Sequence, residues 1–351
     1  MRLAILSDGK PGHENQSLGI AERIPGNEIL LIRHKLRKGL FETVFRLRVA
    51  ANGGIGEKEA ERLLGKACSV EDIEKLKKFK PLAIIAAGAT SAAPCLLAAI
   101  ITHAKTCFCM RPSLIPINRF DLAIIPEHDH PPDRHFIVKT LAAPNRISPE
   151  NLASEEIKWA GELPKSDAPI LAFLIGGPSR SAKFDNRHIL EGLKCALDWA
   201  ETHGWQVWLS TSRRTPIELE DEIERTEKGH PALTWAFFRS RDTRNPVYAF
   251  LARCVCAVVT SDSVGMIAEV ASTGKGPFVY GSACEKFRRQ TKHDRIVGSI
   301  IGAGYGAEAR SRNELAALLA TLLTQETRFR KLPDTEKASK VLLDLVLKRG
   351  Q

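Results

Sequence analysis

The chain has 351 residues, of which 44% are hydrophobic, and it carries a formal net charge of +10 at pH 7. This length allows two domains with a core each, and the composition fits a soluble globular protein. The charge favours an anionic partner, which can be nucleic acid, a phosphorylated small molecule or an anionic membrane surface. Only 6% of the residues are aromatic, and we find no zinc-finger spacing, RNA-binding aromatic signature or helix-turn-helix pattern, so we expect no nucleic-acid partner.

The N-terminus and the cysteines indicate a cytoplasmic protein. The first eight residues read as a strand that enters a polar turn, without the apolar core of a signal peptide. The eight cysteines show no Cys-x-x-Cys spacing, which favours reduced thiols in the core. The one long uncharged window, residues 81–102, is interrupted by Gly88 and Pro94, so we predict a strand, a loop and a helix there instead of a membrane span.

Apolar runs alternate with amphipathic stretches along the chain. We predict strands at residues 3–6, 28–32, 82–87, 107–110, 122–125 and 136–139, with helices at 57–67 and 70–79. After a polar connector over residues 144–168, we predict strands at 170–175, 206–209, 233–237, 254–259 and 277–280, and helices at 187–202, 216–226, 315–323 and 337–347. This alternation predicts an α/β fold with two doubly wound (Rossmann-like) parallel-sheet domains facing a cleft. We place the domains at 1–150 and 168–335, with a closing helix at 336–351 as a candidate to pack back on the first domain.

The segment from Thr260 to Tyr280 encodes a helix start that suits an anion, between two strands. Ser261, Asp262 and Ser263 supply capping side chains, and the unpaired backbone N–H groups of a helix start attract phosphate. Glu269 is expected on the same helical face about 10 Å further along the axis, where its carboxylate can accept hydrogen bonds from ribose hydroxyls. This spacing fits a nucleoside diphosphate. The alternative is an ordinary helix with a capped start and a surface glutamate.

Ligands of doubly wound sheets bind outside the carboxyl ends of the strands, so the loops after the strands are the places to search. The first loop, SDGKPGHENQS at residues 7–17, is rich in glycine and in acid–base groups. His13 can take a proton at neutral pH, as Asp8 or Glu14 can when suitably positioned. The alternative is a capped tight turn in which His13 is structural.

Three further loops carry polar clusters. GGPSRSAK at 176–183 and TSRRTP at 211–216 suit phosphate, because glycine lets a ligand approach the backbone and arginine matches diphosphate geometry. PEHDHPPDRH at 126–135 is dense in His and Asp, but neighbours in sequence seldom all ligate one ion, so we favour a polar loop lining the ligand cleft over a metal site. Thr90 and Ser91 follow another strand and are expected to line the same cleft.

A basic amphipathic segment spans Arg33 to Arg48. If it is helical from Leu36, it places Leu36, Leu40 and Val44 on one stripe with basic residues around it. This pattern suits docking on an anionic membrane surface. A helix packed on its own domain, with solvated lysines and arginines, is the alternative.

Several familiar signatures are absent from the sequence. No Gly-x-Gly-x-x-Gly follows the first strand, and no Walker-type loop or Gly-x-Ser-x-Gly elbow is present, which disfavours NAD binding, ATP hydrolysis and α/β-hydrolase chemistry. None of the tyrosines, Tyr248, Tyr280 and Tyr305, has a lysine four residues later, so a short-chain nucleotide-sugar epimerase is also disfavoured.

Taken in order, SDGKPGHENQS, PEHD at 126–129, GGPSR at 176–180, SRRTP at 212–216 and SDSV through Glu269 resemble the family named after a plant mitochondrial-fission factor. Its bacterial members are treated as glycosyltransferases of the lipopolysaccharide outer core. More distantly, the layout is similar to the lipid-linked N-acetylglucosaminyltransferase of peptidoglycan synthesis, a GT-B enzyme. This chain has Lys10 and Pro11 where that enzyme has Thr and Gly, a departure in the first loop.

The resemblance implies a GT-B-like, metal-independent glycosyltransferase with an N-terminal acceptor-side domain and a C-terminal donor domain. It would use a nucleoside-diphosphate sugar as substrate, a saccharide or lipid-linked acceptor and no cofactor, peripherally at the inner face of the membrane. The expected catalytic residues are His13, Asp8 and Glu14. The expected donor-binding residues are Gly176, Gly177, Ser179, Arg180, Ser212, Arg213, Arg214, Ser261, Asp262, Ser263, Met266 and Glu269. The expected acceptor-side residues are Gly9, Lys10, Gly12, Asn15, Gln16, Thr90, Ser91, Glu127, His128 and Asp129.

Two other functions stay open at this point. One is a non-catalytic GT-B-like scaffold that recruits partners to a membrane, as the plant relatives of this family do. The other is a nucleotide-sugar hydrolase or epimerase on the same fold, which would share the donor site but would not use an acceptor.

Overall fold

A computed structural model describes residues 1–37, 39–51, 54–179, 184–282, 291–324 and 329–348. The strands are β1 (Arg2–Ser7), β2 (Glu28–Arg33), β3 (Ala83–Ala87), β4 (Lys105–Cys109), β5 (Leu122–Pro126), β6 (Ile137–Thr140), β7 (Ile170–Ile175), β8 (Gln206–Thr211), β9 (Leu233–Phe237), β10 (Cys256–Thr260), β11 (Pro277–Tyr280) and β12 (Ala307–Ala309). The helices are α1 (Pro11–Glu22), α2 (Leu40–Ala50), α3 (Glu57–Leu64), α4 (Val70–Phe79), α5 (Ala92–Thr102), α6 (Pro149–Trp159), α7 (Asn186–Thr202), α8 (Ile217–Glu227), α9 (Val247–Arg253), α10 (Val264–Thr273), α11 (Lys292–Gly302), α12 (Arg312–Thr324) and α13 (Asp334–Leu347).

The chain divides into two compact units, each with one parallel sheet. The first unit is Met1–Arg146 with Pro333–Gln351, and the second is Ile147–Leu332. The first sheet has the order β2-β1-β3-β4-β5-β6, and the second has the order β12-β11-β10-β7-β8-β9. The central strands β3, β7 and β10 are buried on both faces, so they read as continuous apolar runs in the sequence.

In each sheet the strand order reverses beside the first strand of the unit. β1 has β2 on one side and β3 on the other, and β7 likewise has β8 on one side and β10 on the other. The switch points therefore lie between β1 and β3 and between β7 and β10. Crevices at such points, at the carboxyl ends of the strands, bind ligands in this class of fold.

The last helix, α13, belongs to the first unit. Ala338, Leu342 and Val346 pack in the same apolar cluster as Ile20 of α1. At the start of α13, the carboxylate of Asp334 accepts a hydrogen bond from the Ala142 N–H at 2.8 Å, and burial raises the pKa of this carboxyl to about 6. The chain thus returns from the second unit to complete the first core.

Some elements were not predicted from the sequence. Helix α6 lies inside the segment interpreted as a polar connector; its N-cap, Ser148, accepts the Asn151 N–H at 3.1 Å, and its last residue, Trp159, is buried against Trp235 and Phe237. Strand β12 has three residues and no apolar run, so no periodicity marks it. In the described part of the chain, every helix is too short or too polar to span a bilayer, and window 81–102 forms β3, a 3-10 turn and α5.

The prediction of a helix that begins at Leu36 is wrong in its start. Helix α2 begins at Leu40, and Leu36 is buried in the preceding loop. Leu40 and Val44 face solvent, whereas Phe45 and Val49 form the face that packs on the core. The apolar residues of this helix therefore lie on both of its faces.

Candidate functional site

The candidate site of the second unit lies at its switch point, where three loops meet. The loop after β7 begins at Gly176, the loop after β8 contains Arg214, and Asp262 follows β10. The Gly176 N–H donates to Thr260 Oγ1 at 2.8 Å, and the Gly177 N–H donates to Asp262 Oδ2 at 2.7 Å. Because Arg214 Nη2 donates to the same Oδ2 at 3.0 Å, Asp262 holds the three loops together.

Asp262 is enclosed by the protein. Its side chain has no exposed surface, and Oδ1 finds no hydrogen-bond partner among the described residues. Burial raises the pKa of this carboxyl, and the Gly177 N–H, Thr260 and Arg214 partly oppose that rise. Asp262 was predicted as a capping and donor-binding residue, and in the structure its carboxylate bonds the glycine loop and Arg214.

The two glycines are needed for this close approach. A Cβ atom on Gly176 would lie 2.1 Å from Asp262 Oδ2, and one on Gly177 would lie 2.1 Å from the Arg214 carbonyl oxygen. Both contacts are far shorter than any real Cβ contact, so a larger residue would push the loops apart.

The two arginines of the β8 loop differ in their surroundings. Arg214 is engaged by Asp262 and also donates from Nη1 to the carbonyl oxygens of Gly177 and Pro178. Arg213 is exposed and makes no hydrogen bond or ion pair within the part of the chain that the structure describes. Ser212 shapes the turn, since its N–H donates to Thr215 Oγ1 at 2.8 Å. Arg213 is therefore the guanidinium available to a ligand.

The start of α10 carries no side-chain cap. Ser263 is the N-cap residue but its side chain makes no capping bond, which corrects the predicted cap. Ser261 Oγ accepts the Ser282 N–H at 2.9 Å, so it joins two loops of the second unit. Helix N-termini without a side-chain cap present backbone N–H groups to an anion. Gly265 is exposed in this first turn and Met266 is partly buried.

Glu269 lies further along α10 and is partly buried. Tyr248 of α9 donates from Oη to Glu269 Oε1 at 3.4 Å. Burial raises the pKa of the Glu269 carboxyl to about 7, and the bond from Tyr248 opposes part of the rise. A carboxyl poised near neutrality is typical of functional positions. Sequence reasoning missed Tyr248, because its helix lies in another part of the chain.

The sequence predicted two further donor-site residues in the β7 loop, Ser179 and Arg180. Ser179 is partly buried and follows the glycine pair after Pro178. Arg180 lies outside the described residues.

The candidate site of the first unit bridges β1 and β3. Nδ1 of His13 lies 3.0 Å from Oδ1 and 3.1 Å from Oδ2 of Asp8. Thr90, in the loop after β3, donates to Asp8 Oδ2 at 2.8 Å, and Lys10 Nζ lies 2.9 Å from the same oxygen. A Cβ on Gly88 would lie 2.2 Å from His13 Nδ1, so the imidazole rests against this glycine.

The protonation of this pair follows from its contacts. Burial pushes the pKa of the Asp8 carboxyl upward, but bonds from Lys10 and Thr90 and the nearby His13 outweigh it and leave this pKa well below its usual range. An ionised carboxylate only accepts hydrogen bonds, so the proton of neutral His13 resides on Nδ1. Nε2 then has a free lone pair, which can take a proton from a substrate hydroxyl.

Glu14 faces away from this pair. Arg33 donates to Glu14 Oε1 at 2.9 Å and to Oε2 at 3.1 Å, and Ser7 Oγ donates to Oε2 at 2.9 Å. The bonds from Arg33 are the main cause of the lowered pKa of Glu14. A carboxylate held in this way acts as a support for the β1 loop.

Sequence reasoning also missed His34, although it directly follows β2 at the ligand edge. His34 is buried, its Nε2 lies 2.9 Å from Ser91 Oγ, and its Nδ1 has no partner among the described residues. Burial lowers the pKa of this imidazole to about 4, although the charge of Asp8 opposes the fall. His34 is therefore neutral at pH 7 and fixes Ser91 beneath Thr90.

The other acceptor-side candidates lie around this pair or apart from it. Gly9 has φ +76°, which allows the sharp turn before α1, and Gly12, Asn15 and Gln16 lie on the first turns of that helix. Glu127, His128 and Asp129 form a 3-10 turn after β5. Since β3 and β4 separate β5 from β1, that turn is about 14 Å from the β1 loop. Across the described ranges, no group of three His, Cys, Asp or Glu side chains is placed to hold a metal ion.

The two doubly wound parallel sheets define a protein of the GT-B fold. The chain belongs to the family described as Mitochondrial fission ELM1, whose model matches residues 11–345. The mitochondrial fission protein ELM1 of Arabidopsis thaliana is 25% identical in a match covering 53% of this chain and 49% of that protein. The chain thus spans about half the length of the curated relative it matches.

Solved structures match the chain over nearly its whole length. The UDP-GlcNAc 2-epimerase of Neisseria meningitidis, bound to UDP-GlcNAc, superposes with a TM-score of 0.51 and 11% identity, covering 99% of this chain and 100% of the other. The ADP-heptose lipopolysaccharide heptosyltransferase II of E. coli gives 0.49 and 14% identity, with full coverage of both chains. At such identities the likeness concerns the fold alone.

Proposed function

We propose that the protein is a metal-independent glycosyltransferase that moves a sugar from a nucleoside-diphosphate sugar to a saccharide or lipid-linked acceptor. The process that we propose for this transfer is cell-envelope glycoconjugate synthesis, such as that of the lipopolysaccharide core. The observation that carries the proposal is the Asp8–His13 pair at the switch point of the first sheet, with Nε2 left to accept a proton. A binding module has no need of an oriented imidazole of this kind.

The donor would bind at the switch point of the second sheet. Its diphosphate would accept hydrogen bonds from the backbone N–H groups at the start of α10 and from the unengaged guanidinium of Arg213. Glu269, five residues into α10 from its first residue Val264, would accept from the ribose hydroxyls. The backbone N–H groups and the Arg213 guanidinium would stabilise the negative charge that develops on the leaving diphosphate.

The acceptor would approach the first unit with its hydroxyl near His13. As the bond between the anomeric carbon and the diphosphate breaks, His13 Nε2 would take the proton of the attacking hydroxyl. The ionised Asp8 would stabilise the resulting imidazolium, and Thr90 and Lys10 would keep Asp8 in place. No step of this scheme calls for a metal ion.

Two comparisons favour other functions, which the experiment must distinguish from glycosyl transfer. The structure from Neisseria meningitidis belongs to an epimerase, which would convert a nucleotide sugar without an acceptor. The Arabidopsis relative is named for mitochondrial fission, which favours a scaffold that recruits partners.

The first experiment measures thermal stabilisation against a panel of nucleoside diphosphates and nucleotide sugars, with Glu269→Ala and Arg213→Ala as variants. A ligand that binds only the folded state raises the melting temperature. A shift for one nucleotide that both variants lose supports the donor site, and product analysis with acceptors then separates transfer from epimerisation and hydrolysis. The absence of any shift would favour the scaffold.

A further inference from the structure

Helix α2 presents apolar side chains to solvent on the face opposite the core. Leu40, Val44 and Leu47 are 79%, 55% and 48% exposed, and Phe41 beside them is exposed as well. We call these four residues the outer face of α2. Positions 40, 44 and 47 recur at the helical spacing and form a continuous stripe. Such contiguous apolar patches on a protein surface mark interaction sites.

Basic residues border the outer face. Lys66 Nζ lies 5.6 Å from the ring centroid of Phe41. Arg48 occupies the last turn of the helix, but its guanidinium already pairs with Glu59 at 2.6 Å. Lys35 and Arg37 are exposed in the segment that leads into α2. The acidic residue of the helix, Glu42, turns away from this face and pairs with the buried Arg46 at 3.4 Å.

The helix is held firmly on its inner side. Phe45 and Val49 pack in the first core, and Arg119 Nη1 donates to the carbonyl oxygen of Val49 at 3.2 Å. Arg46 also bonds Ser113, whose neighbour Leu114 is 48% exposed. The outer face is therefore presented in the folded protein without rearrangement.

We propose that the outer face of α2 docks the protein on an anionic lipid monolayer. The helix would lie in the plane of the interface, with its apolar stripe at the acyl boundary and Lys35, Arg37 and Lys66 near the lipid phosphates. The net charge of +10 adds a long-range attraction to such a surface. This inference does not depend on the proposed glycosyl transfer.

Charge favours lipid over a second copy of the chain. A two-fold symmetric contact places the same patch of both copies together. It would bring the basic borders of two outer faces against each other, which costs electrostatic energy unless anions intervene. Anionic headgroups supply that complementary charge.

The test is co-sedimentation of the full chain with vesicles of phosphatidylcholine containing about 30% phosphatidylglycerol, compared with phosphatidylcholine alone. The triple variant Leu40→Ser, Val44→Ser, Leu47→Ser removes the stripe. Its matched control is Val70→Ser with Ile157→Ser, two residues that are 76% and 77% exposed elsewhere. We expect the wild type and the control to bind. The triple variant should bind about tenfold more weakly or worse, since three apolar side chains that would be buried in the lipid are lost.

A charge variant gives a second measurement. Arg37→Ala with Lys66→Ala is expected to weaken partitioning about fivefold per residue at low salt and less at high salt. Equal sedimentation of the triple variant and the wild type would overturn the proposal. A wild-type protein that does not bind the vesicles would also overturn it. If that protein is a dimer and the triple variant is a monomer, the outer face of α2 contacts a second copy of the chain instead of lipid. Circular dichroism confirms that each variant is folded.

Discussion

The carboxylate of Asp8 and the ring of His13 fix each other's orientation, with Oδ1 3.0 Å from Nδ1. Thr90 reaches the other oxygen of the same carboxylate from the neighbouring loop. Because Asp8 stays ionised, it selects the His13 tautomer that leaves Nε2 unprotonated. This relationship makes the first switch point a testable proton-acceptor site.

Asp8→Asn should lower the rate of sugar transfer by about 10²- to 10⁴-fold, the range of a lost general base, because the amide no longer demands a proton on Nδ1. Steady-state kinetics with a saturating donor measures this loss. His13→Ala should lose as much, and the double variant should lose no more, since the two residues act as a unit. Donor-induced thermal stabilisation should be unchanged. A transfer rate within twofold of the wild type in Asp8→Asn would remove the pair from the mechanism.

Gly88→Ala and Gly9→Ala form a matched pair at the same switch point. Both glycines have positive φ, +86° and +76°, so each alanine should cost about 1–3 kcal/mol of unfolding free energy through backbone strain. Only at Gly88 would the new Cβ overlap the His13 ring; at Gly9 it meets open space. We therefore expect Gly88→Ala alone to lose transfer activity beyond what its stability explains. Urea denaturation and kinetics on both variants measure the difference, and equal activity losses would refute the packing argument.

Asp262→Ala should destabilise the second unit, because it leaves the Gly177 N–H and Arg214 without their shared acceptor. Loss of the partner of a buried donor lowers the free energy of unfolding by about 1–3 kcal/mol. Because Arg214 is partly exposed and water can replace its lost bond, we expect a value in the lower part of that range. Arg213→Ala should change stability by less than about 0.5 kcal/mol but weaken nucleotide binding. Denaturant titration and nucleotide-induced thermal shifts separate the two effects. A stable Asp262→Ala protein that has lost only binding would make Asp262 a direct ligand instead.

Glu269 should make stability depend on pH near neutrality. Its folded pKa of about 7 lies above the usual glutamate value of 4.5, so between these values the folded protein holds a proton that the unfolded chain releases. The contribution of Glu269 to stability should therefore fall as pH rises through this window, with a slope of at most about one proton, and Glu269→Gln should remove that contribution. Asp334, whose pKa is raised to about 6, adds a slope of the same sign below that pH, so the comparison of the variant with the wild type is clearest between pH 6 and 7. Urea unfolding at several pH values from 5 to 8 measures it.

The same carboxyl predicts how pH affects nucleotide binding. Ribose hydroxyls donate to a carboxylate, so binding should favour the ionised form and release a proton below about pH 7. Calorimetry in two buffers of different ionisation enthalpy detects that proton. Identical heats after buffer correction at pH 6 would show that the nucleotide does not contact Glu269.

The alternation of apolar runs was enough to predict the two parallel sheets, because strands buried on both faces and helices buried on one leave different periodicities. The rule that ligands bind after strands led to Asp8 and Arg213 in loops and to His13 and Glu269 in the helices that follow, and their roles stay predictions. Helix α2 shows what the local pattern could not decide. The stripe of Leu40 and Val44 fitted either a membrane-facing or a core-facing helix. The structure exposes that stripe and packs Phe45 and Val49 on the core, because only the surrounding core decides between two apolar faces.

The sequence by itself thus determined the fold class, the strand–helix succession and the loops that carry charged groups, since these depend on residues close together in the chain. The tertiary structure decided which groups are free and which are engaged. Arg213 and Arg214 are adjacent and chemically alike, yet only Arg214 meets Asp262, 48 residues further along the chain. His34 and Tyr248 gained their roles in the same way, because contacts and burial between distant segments set their hydrogen bonds and pKa values.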